Sequence, residues 1–146
     1  MALYKIRCQM TETMSLLLVS GTADKLMAGS IIASGGVANG MDVDVFVSFW
    51  GLIEMKKNSP PNMKLSYEGR DMADQLFSIM KEKKVPGWKE MLRQAKEVGT
   101  VRIFACAMFA DLLGLKKEDL DPMVDEIIGV TEFVGRAKES KMTLFI

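Results

Sequence analysis

Cys106 is the strongest nucleophile in this sequence, and it stands where a short apolar run meets a segment of helical character. Residues 101–105 (VRIFA) are typical of a buried strand, whereas residues 107–113 are typical of a helix that Gly114 ends. Such a helix points its free N–H groups and its positive dipole end at the sulfur, which favours thiolate over thiol. A thiolate here suits sulfur transfer or redox sensing. The alternative is a buried cysteine that packs as a small apolar side chain.

The residue types that the sequence lacks narrow this chemistry. The sequence contains no histidine, which excludes Ser-His-Asp and Cys-His catalysis and removes the commonest nitrogen ligand of zinc. Its 13 methionines are spread at core spacings rather than grouped as copper ligands. We therefore predict no metal site and no bound cofactor.

Three other segments are weaker candidates for chemistry. Cys8 lies in a polar N-terminal stretch and is either a resolving thiol or incidental, since a reducing cytosol does not favour a disulfide with Cys106. Residues 21–24 follow a predicted strand and could hold a phosphate, but they match neither glycine-rich nucleotide motif, so a plain turn explains them better. Asp42 and Asp44 lie at the amino end of a strand and are predicted to be solvated.

The composition indicates one globular domain without a nucleic-acid or membrane partner. The 146 residues suffice for one domain, and 49% of them are apolar, which allows a core without disulfides. The 19 basic and 19 acidic residues leave no net charge, which argues against a surface for duplex nucleic acid. No apolar run approaches the roughly 20 residues of a membrane span. Residues 1–13 form an N-terminal extension without the apolar core of a signal peptide, so we expect a cytoplasmic protein.

The order of the predicted elements indicates an α/β layered domain with a mainly parallel sheet of four or five strands. Strand-like runs at residues 14–20, 41–49 and 101–105 alternate with helical segments, and short strands at 127–130 and 143–146 follow. Parallel sheets bind ligands at the carboxyl ends of their strands. Residues 21–24, 50–70 and 106–111 are predicted to lie at that edge.

The connection at residues 51–70 is unusually long, and in a compact domain such a segment is usually a functional loop or a mobile one. It carries four cationic residues, among them Lys56, Lys57 and Arg70. A helix is predicted to follow over residues 71–81. Its predicted buried stripe consists of Met72, Leu76, Ile79 and Met80. A second helix is predicted over residues 88–98, where Gly99 ends it.

Two motifs resemble those of the DsrE/DsrF-like proteins. VRIFACAM (residues 101–108), continuing to Asp111 and LGL (residues 113–115), resembles the cysteine motif of the branch often labelled peroxiredoxin-like, in which a strand runs into Cys-x-Met. Gly40-Met41, followed by Val45-Phe46 and FWGL (residues 49–52), resembles the strand of that branch that ends in Phe-Trp-Gly-Leu. The pattern of strands and helices agrees along essentially the whole chain.

The resemblance implies a three-layer Rossmann-like or flavodoxin-like sandwich over residues 1–146, assembled into trimers or larger homo-oligomers. In relatives the matching cysteine carries sulfane sulfur as a persulfide or thiosulfonate and exchanges it with small carrier proteins of the TusA type. Carried over, Cys106 is the sulfur-bearing residue. Ala107 and Phe109 stand where that branch commonly has Gln and Ser, so the pocket is expected to be more apolar and its cargo to differ. No peroxiredoxin active-site motif is visible, and peroxidase activity does not follow.

The leading hypothesis is a cytoplasmic sulfur carrier or sulfurtransferase that takes sulfane sulfur from a small donor onto Cys106 and yields it to a partner thiol. Candidates for the donor site are Lys56, Lys57 and Arg70, to hold an anion such as thiosulfate, and Trp50 and Met108, to wall the pocket. Solvated surface cations and ordinary core packing are the alternatives at these positions. The competing functions are a non-catalytic homo-oligomeric binding module with an inert Cys106, and a nucleotide or flavin protein, which rests on fold analogy alone.

Overall fold

The computed structural model describes residues 11–146, and these form a five-stranded sheet with flanking helices. Cys8 lies outside the described residues. The strands are β1 (Thr13–Leu18), β2 (Asp42–Val47), β3 (Val101–Cys106), β4 (Glu126–Ile128) and β5 (Met142–Phe145). The helices are α1 (Ala23–Ala38), α2 (Phe49–Glu54), α3 (Ala73–Glu82), α4 (Trp88–Val98), α5 (Ala107–Leu112) and α6 (Val130–Lys138). Two short 3-10 turns lie at Arg70–Met72 and Lys117–Asp119.

The sheet has the strand order β4-β3-β2-β1-β5, and each neighbouring pair is parallel. This confirms the predicted parallel α/β sandwich of the Rossmann or flavodoxin type. The register places Leu18, Val47 and Ala105 side by side at the carboxyl ends of the three inner strands. The sheet begins at Thr13, so the last residue of the predicted N-terminal extension belongs to β1.

The two faces of β2 are covered by different helices, which explains why its sequence is apolar on both sides. Val43 faces α1, because a Cβ added at Gly36 would lie 2.9 Å from the Val43 Cγ2 atom. Phe46 points to the other face, where its ring stacks on Phe133 of α6 with the centroids 4.6 Å apart. Helix α4 lies beside α1, where the Ser30 hydroxyl donates to the Trp88 carbonyl oxygen at 3.0 Å. The structure therefore has three layers.

Asp44 is buried at the amino end of the sheet, so the prediction of a solvated side chain was wrong. Only 1% of the residue is exposed. Its carboxylate accepts a hydrogen bond from Arg102 Nε on β3 and lies 3.8 Å from Arg136 Nη1 on α6. Helix α6 covers this end of the strand, and its arginine also stacks on the Phe104 ring at 4.7 Å. Burial of a carboxylate is tolerable here because two guanidinium groups compensate its charge.

The segment after β2 differs from the sequence prediction. The strand ends at Val47 instead of residue 49, and α2 occupies the first part of what was predicted to be a long connection. Two aromatic residues predicted at the strand end, Phe49 and Trp50, thus begin a helix. The six-residue length of α2 is too short for a periodic hydrophobic signal, which explains why the sequence pattern did not show it.

Helix α3 is turned so that the predicted stripe does not face the core. Met72, Leu76 and Ile79 are exposed, while Ala73, Phe77 and Met80 are only half-buried. None of its residues is fully buried. The apolar arc of this helix is wide, and the domain covers only one side of it. The prediction was right about the existence of the helix and wrong about its buried side.

Candidate functional site

Cys106 is the last residue of β3 and directly precedes α5. It is a free thiol, pairs with Ile128 of β4, and is only 5% exposed. The strand end and the helix start thus lie where the sequence predicted. Helix α5 has only six residues, so its start presents the free N–H groups of one turn and little cumulative dipole.

The sheet topology makes the carboxyl ends of β3 and β4 a candidate ligand site. The chain that leaves β3 reaches the face of α4, since Arg93 Nη2 of α4 lies 3.2 Å from Asp121 Oδ2 in the β3–β4 connection. The chain that leaves β4 enters α6, which packs on the opposite face through Phe133. The two connections diverge, and ligands of open α/β sheets bind at such switch points. Cys106 is the last residue of β3, one of these two strands.

Three aromatic rings surround the start of α2 and α5. The Phe109 ring is 6% exposed, and its centroid lies 4.8 Å from that of Phe49 and 6.4 Å from that of Trp50. The Phe49 pair is tilted and the Trp50 pair is edge-on, both favourable arrangements for aromatic rings. The Cys-x-Met-Phe segment and the Phe-Trp-Gly-Leu segment therefore meet through these three residues, which we call the aromatic cluster.

Phe49 has a backbone conformation that bulky residues rarely adopt. Its φ is +46°, in the left-handed region, where a non-glycine residue typically stores about 1–3 kcal/mol of strain. The strain persists because both sides are fixed: the Ser48 N–H donates to the Leu18 carbonyl at 3.0 Å, and the Gly51 N–H donates to the Val19 carbonyl at 3.0 Å. Sequence analysis missed Phe49 as a site residue, since no pattern of residue types indicates a positive φ at phenylalanine.

An exposed apolar surface borders the cysteine. Trp50 is 62% exposed and Met108 is 67% exposed, and Phe49, Leu112 and Leu113 are exposed as well. We call these five residues the apolar rim. Large apolar side chains grouped at one edge of a domain are typical of an interaction site. Trp50 and Met108, both predicted from the sequence to wall the pocket, lie on this rim on α2 and α5.

Two glycines allow the loops at this edge to approach each other. A Cβ at Gly51 would lie 2.8 Å from the Leu18 carbonyl oxygen, and one at Gly21 would lie 2.6 Å from the Trp50 carbonyl oxygen. Real Cβ atoms do not come so close to backbone oxygen. The glycine of the Phe-Trp-Gly-Leu motif is therefore required by the contact between α2 and the end of β1.

The segment after α2 is held over the N-terminus of α1. The Asn62 side-chain amide donates to the Gly21 carbonyl at 2.6 Å, and the Ala23 N–H donates to the Lys64 carbonyl at 2.8 Å. Ser66 donates to the Asp24 carboxylate through its N–H, at 3.0 Å, and through its hydroxyl. With Trp50, this segment encloses a cavity of about 260 Å³.

The same contacts argue against phosphate binding at residues 21–24. The Ala23 N–H, which a phosphate would need, is already bonded to Lys64. Burial works to raise the pKa of Asp24, but hydrogen bonds from Ser66 and Thr22 outweigh it and hold that pKa below its usual value. A carboxylate at the helix N-terminus repels an anion. The plain-turn interpretation therefore fits better than a nucleotide site.

The predicted anion-binding cations have contacts in two different parts of the chain, Lys56 and Lys57 in one and Arg70 in the other. Residues 56 and 57 attach to the β3–β4 connection through a bridge from Lys56 to Leu120 and through the Lys57 N–H, which donates to the Asp119 carbonyl at 2.8 Å. The Lys57 side chain lines a cavity of about 500 Å³ together with Arg93 and Asp121. Arg70 stacks over the Tyr67 ring at 3.8 Å. Trp50 and Met108 lie on α2 and α5, the helices that follow β2 and β3, whereas the described contacts of Lys57 and Arg70 are with other parts of the chain.

Residues 11–146 hold no group of three or more acidic or cysteine side chains that could bind a metal ion. No helix in the same range combines the length and the apolar character needed to cross a membrane.

Two proteins resemble this chain in sequence along nearly their whole length. The chain is 32% identical to the uncharacterized protein YrkE of Bacillus subtilis strain 168 over 160 aligned residues, which cover 94% of this chain and 99% of that protein. It is 27% identical to the sulfur carrier protein DsrE2 of Allochromatium vinosum over 159 residues, with 92% and 98% covered.

Solved structures share the fold at low identity. The YchN protein of Escherichia coli superposes with a TM-score of 0.61 at 14% identity, over 94% of this chain and 100% of that one. The protein MTH1491 of Methanobacterium thermoautotrophicum, of unknown function, superposes with a TM-score of 0.57 at 14% identity, over 91% and 98%. Residues 10–77 and 63–145 match the DsrE/DsrF/DrsH-like family. The chain belongs to the DsrE/DsrF/DrsH-like family.

Proposed function

We propose that this protein is a cytoplasmic sulfur carrier that holds sulfane sulfur on Cys106, as a persulfide or thiosulfonate, and passes it to a partner thiol. The observation that carries the proposal is the position of Cys106 at the end of β3, where the β3 and β4 connections diverge. A relative named as a sulfur carrier, aligned over nearly the whole chain, supports the same chemistry.

Loading of Cys106 is a nucleophilic displacement at sulfur. The Cys106 thiolate attacks the outer sulfur of a donor R–S–SH, a new S–S bond forms, and the S–S bond of the donor breaks as R–S⁻ leaves with the electron pair. The product is Cys106–S–SH, and no external oxidant or reductant is needed. With tetrathionate the same attack leaves Cys106–S–S–SO₃⁻ and releases thiosulfate.

Unloading repeats the exchange with the roles reversed. A partner thiolate attacks the outer sulfur of the Cys106 persulfide, and the Cys106 thiolate leaves with the electron pair. The apolar rim is suited to a protein partner because its large side chains are exposed beside the cysteine. We propose a small carrier protein of the TusA type as that partner.

Trp50 and Met108 are proposed to contact the donor or the partner, supported by their exposure at the rim. Lys56, Lys57 and Arg70 are retained as proposed sources of positive potential for an anionic donor. Potential of this kind acts over a Debye length of about 8–10 Å at physiological salt. Lys→Met and Arg→Met variants at these positions should slow loading by thiosulfate-type anions more than loading by an uncharged persulfide.

The proposal is tested by adduct mapping on the full chain. The reduced protein is incubated with tetrathionate or polysulfide, and intact mass and peptide masses are measured. We expect a sulfur adduct on Cys106 that dithiothreitol removes, and no such adduct in Cys106→Ser. Addition of a TusA-type protein should transfer the label to the thiol of that protein.

A Cys106 that gains no adduct under these conditions, while the protein stays folded, would rule the proposal out. Cys8→Ser is the matched control. The adduct on Cys106 in this variant should equal the adduct on Cys106 in the wild type. If label appears on Cys106 but never leaves to a protein thiol, the carrier role fails although the thiol is reactive.

A second candidate function is a non-catalytic binding module, and the 5% exposure of Cys106 favours it. A thiol so covered behaves as a small apolar side chain unless the surrounding residues move. In that case Cys106→Ala would leave every measurable property except stability unchanged. The adduct experiment separates the two functions directly.

We propose in addition that the protein forms homo-oligomers. Support comes from three exposed apolar residues that the domain itself does not cover. They are Met72, which precedes α3, and Leu76 and Ile79 on α3. Such a surface on a helix is typical of a contact with another chain.

A further inference from the structure

The low exposure of Cys106 presents a physical problem for any exchange of sulfur. The cysteine sits at the carboxyl edge of the sheet, where a ligand should reach it, yet only 5% of the residue is exposed. The register that pairs Val47 with Ala105 brings Ser48 level with Cys106. Ser48 is the first residue beyond β2, and Phe49 follows it as the first residue of α2 at the same edge of the sheet.

Phe49 connects the two segments that end at this edge. Its ring lies 4.8 Å from that of Phe109, which follows Cys106 by three positions on α5. The φ of Phe49 is +46°, whereas the first residue of a helix ordinarily has a negative φ, so its side chain leaves the backbone in a different direction. The left-handed backbone conformation and the tilted contact with Phe109 thus occur at the same residue. Bulky residues keep such a conformation only where the surroundings enforce it.

The Phe49 ring covers the buried Phe109 ring from the solvent side. The Phe49 side chain is exposed on one side, whereas the Phe109 ring beneath it is buried. The rest of α2 is fixed by the Gly51 N–H bond to Val19 and by the fully buried Leu52. Rotation of the Phe49 ring would uncover α5 without moving the helix that carries it.

We propose that Phe49 is a positioning residue that controls access to the Cys106 sulfur. In the closed arrangement its ring, seated on Phe109, keeps water and small solutes from the sulfur. A partner with an apolar contact surface displaces the ring and reaches the sulfur. This inference rests on the proposed function of Cys106, because only an exchanging cysteine needs controlled access.

The test measures access to the thiol without any sulfur donor. The rate of alkylation of Cys106 by iodoacetamide is followed in the reduced full chain, with peptide mapping to separate Cys106 from Cys8. Phe49→Ala removes the ring and keeps the backbone strain, Phe49→Gly removes both, and Phe49→Tyr keeps the ring. Phe145→Ala, at an exposed aromatic residue on the edge strand β5, is the matched control.

We expect Phe49→Ala and Phe49→Gly to raise the alkylation rate about tenfold, as local opening becomes unnecessary. Phe49→Tyr and Phe145→Ala should react at the wild-type rate. Wild-type rates in both the Ala and the Gly variants would overturn the proposal. A rate increase that follows a fall in melting temperature, or that Phe145→Ala shares, would also overturn it, because general loosening then explains the access.

This experiment fails independently of the proposed function. If Cys106 accepts sulfane sulfur but its alkylation ignores Phe49, the carrier role stands and the access role falls. If Phe49 controls alkylation but no sulfur adduct forms, the ring shields a thiol that does not carry sulfur. The two measurements use different variants and different reagents.

Discussion

Phe109 shows how one residue changes the surroundings of the cysteine. The family branch that the motif resembles commonly has serine here, and this chain has a buried ring between Phe49 and Trp50. A hydroxyl group in that place could donate a hydrogen bond to a bound sulfur anion, whereas the ring offers only apolar surface. The cargo and the partner of this chain are therefore expected to suit an apolar site.

Phe109→Ser should destabilise the fold. The ring is almost fully buried, and its removal leaves a cavity and a hydroxyl group in apolar surroundings, with a loss of about 3 kcal/mol in the free energy of unfolding. Urea denaturation measures the loss. Phe145→Ser, at an exposed ring, should change the free energy by no more than about 0.5 kcal/mol. Equal effects in the two variants would show that the aromatic cluster is not packed as described.

Glu54 makes the stability of the protein depend on pH, and the direction of its pKa shift gives the sign of that dependence. Burial raises its pKa above the usual 4.5, although Lys89 and a hydrogen bond from the Asn62 N–H oppose the shift. The native state therefore binds this proton more tightly than the unfolded chain, and the contribution of Glu54 to stability falls as pH rises through the raised pKa.

The variant Glu54→Gln, which cannot ionise, should be more stable than the wild type at pH 7. Its advantage should vanish below pH 4.5, the usual pKa, where the carboxyl group is protonated in both states. Urea denaturation at pH 7 and at pH 4 measures the difference. A Gln variant that is less stable at pH 7 would show that the contacts with Lys89 and Asn62 outweigh the burial.

At the scale of elements, the site depends on the close approach of α2 to the end of β1. Helix α2 starts directly after β2, and the glycines at 21 and 51 let the two connections touch. This contact holds the strained residue Phe49 and presents Trp50 at the edge. The positions of Phe49 and Trp50 thus depend on Gly21 and Gly51, two residues without side chains.

Gly51→Ala should be strongly destabilising because the new Cβ would lie 2.8 Å from the Leu18 carbonyl oxygen, and such overpacking costs about 1–3 kcal/mol. Gly135→Ala is the matched control. It lies inside α6 with open space around the new atom, and alanine there should stabilise the helix by about 0.5–1 kcal/mol. Thermal melting of both variants measures the effects. Two shifts of the same sign would contradict the proposed contact.

At the scale of the whole molecule, one sheet carries two separate apolar surfaces. The apolar rim lies at the carboxyl edge of the sheet, where Cys106 ends β3. The exposed residues Met72, Leu76 and Ile79, which we call the α3 stripe, lie in the long β2–β3 connection. We propose that the rim contacts the sulfur partner and that the α3 stripe contacts another copy of the chain. Each surface can then be altered without disturbing the other.

Leu76→Lys and Ile79→Lys should lower the molar mass of the assembled protein, as measured by light scattering after gel filtration. Both side chains are exposed in the single chain, so lysine there should leave the fold intact while it places charge in an apolar contact. Val98→Lys, at an exposed residue ending α4, should leave the mass unchanged. A wild-type protein with the mass of one chain at every concentration would contradict homo-oligomerisation.

The sequence by itself determined the alternation of strands and helices and the placement of Cys106 between β3 and α5. These features depend on short-range patterns: apolar runs of strand length, a helix closed by Gly114, and glycine after Val98. The missing histidines and the two motifs narrowed the chemistry and indicated the family before any contact was known. Long, periodic elements such as α4 agree with their predicted bounds, residues 88–98.

Only the tertiary structure decided which side chains meet. The ion pair of Asp44 with Arg102 and the tilted contact of Phe49 with Phe109 each join residues far apart in the chain, and periodicity holds no information about such pairs. Periodicity likewise did not show which side of α3 is exposed. The positive φ of Phe49 arises because its neighbours are fixed by strand β1. The position of Cys106 could be found from local pattern, whereas the contact of Phe49 with Phe109 depends on packing between segments more than 50 residues apart.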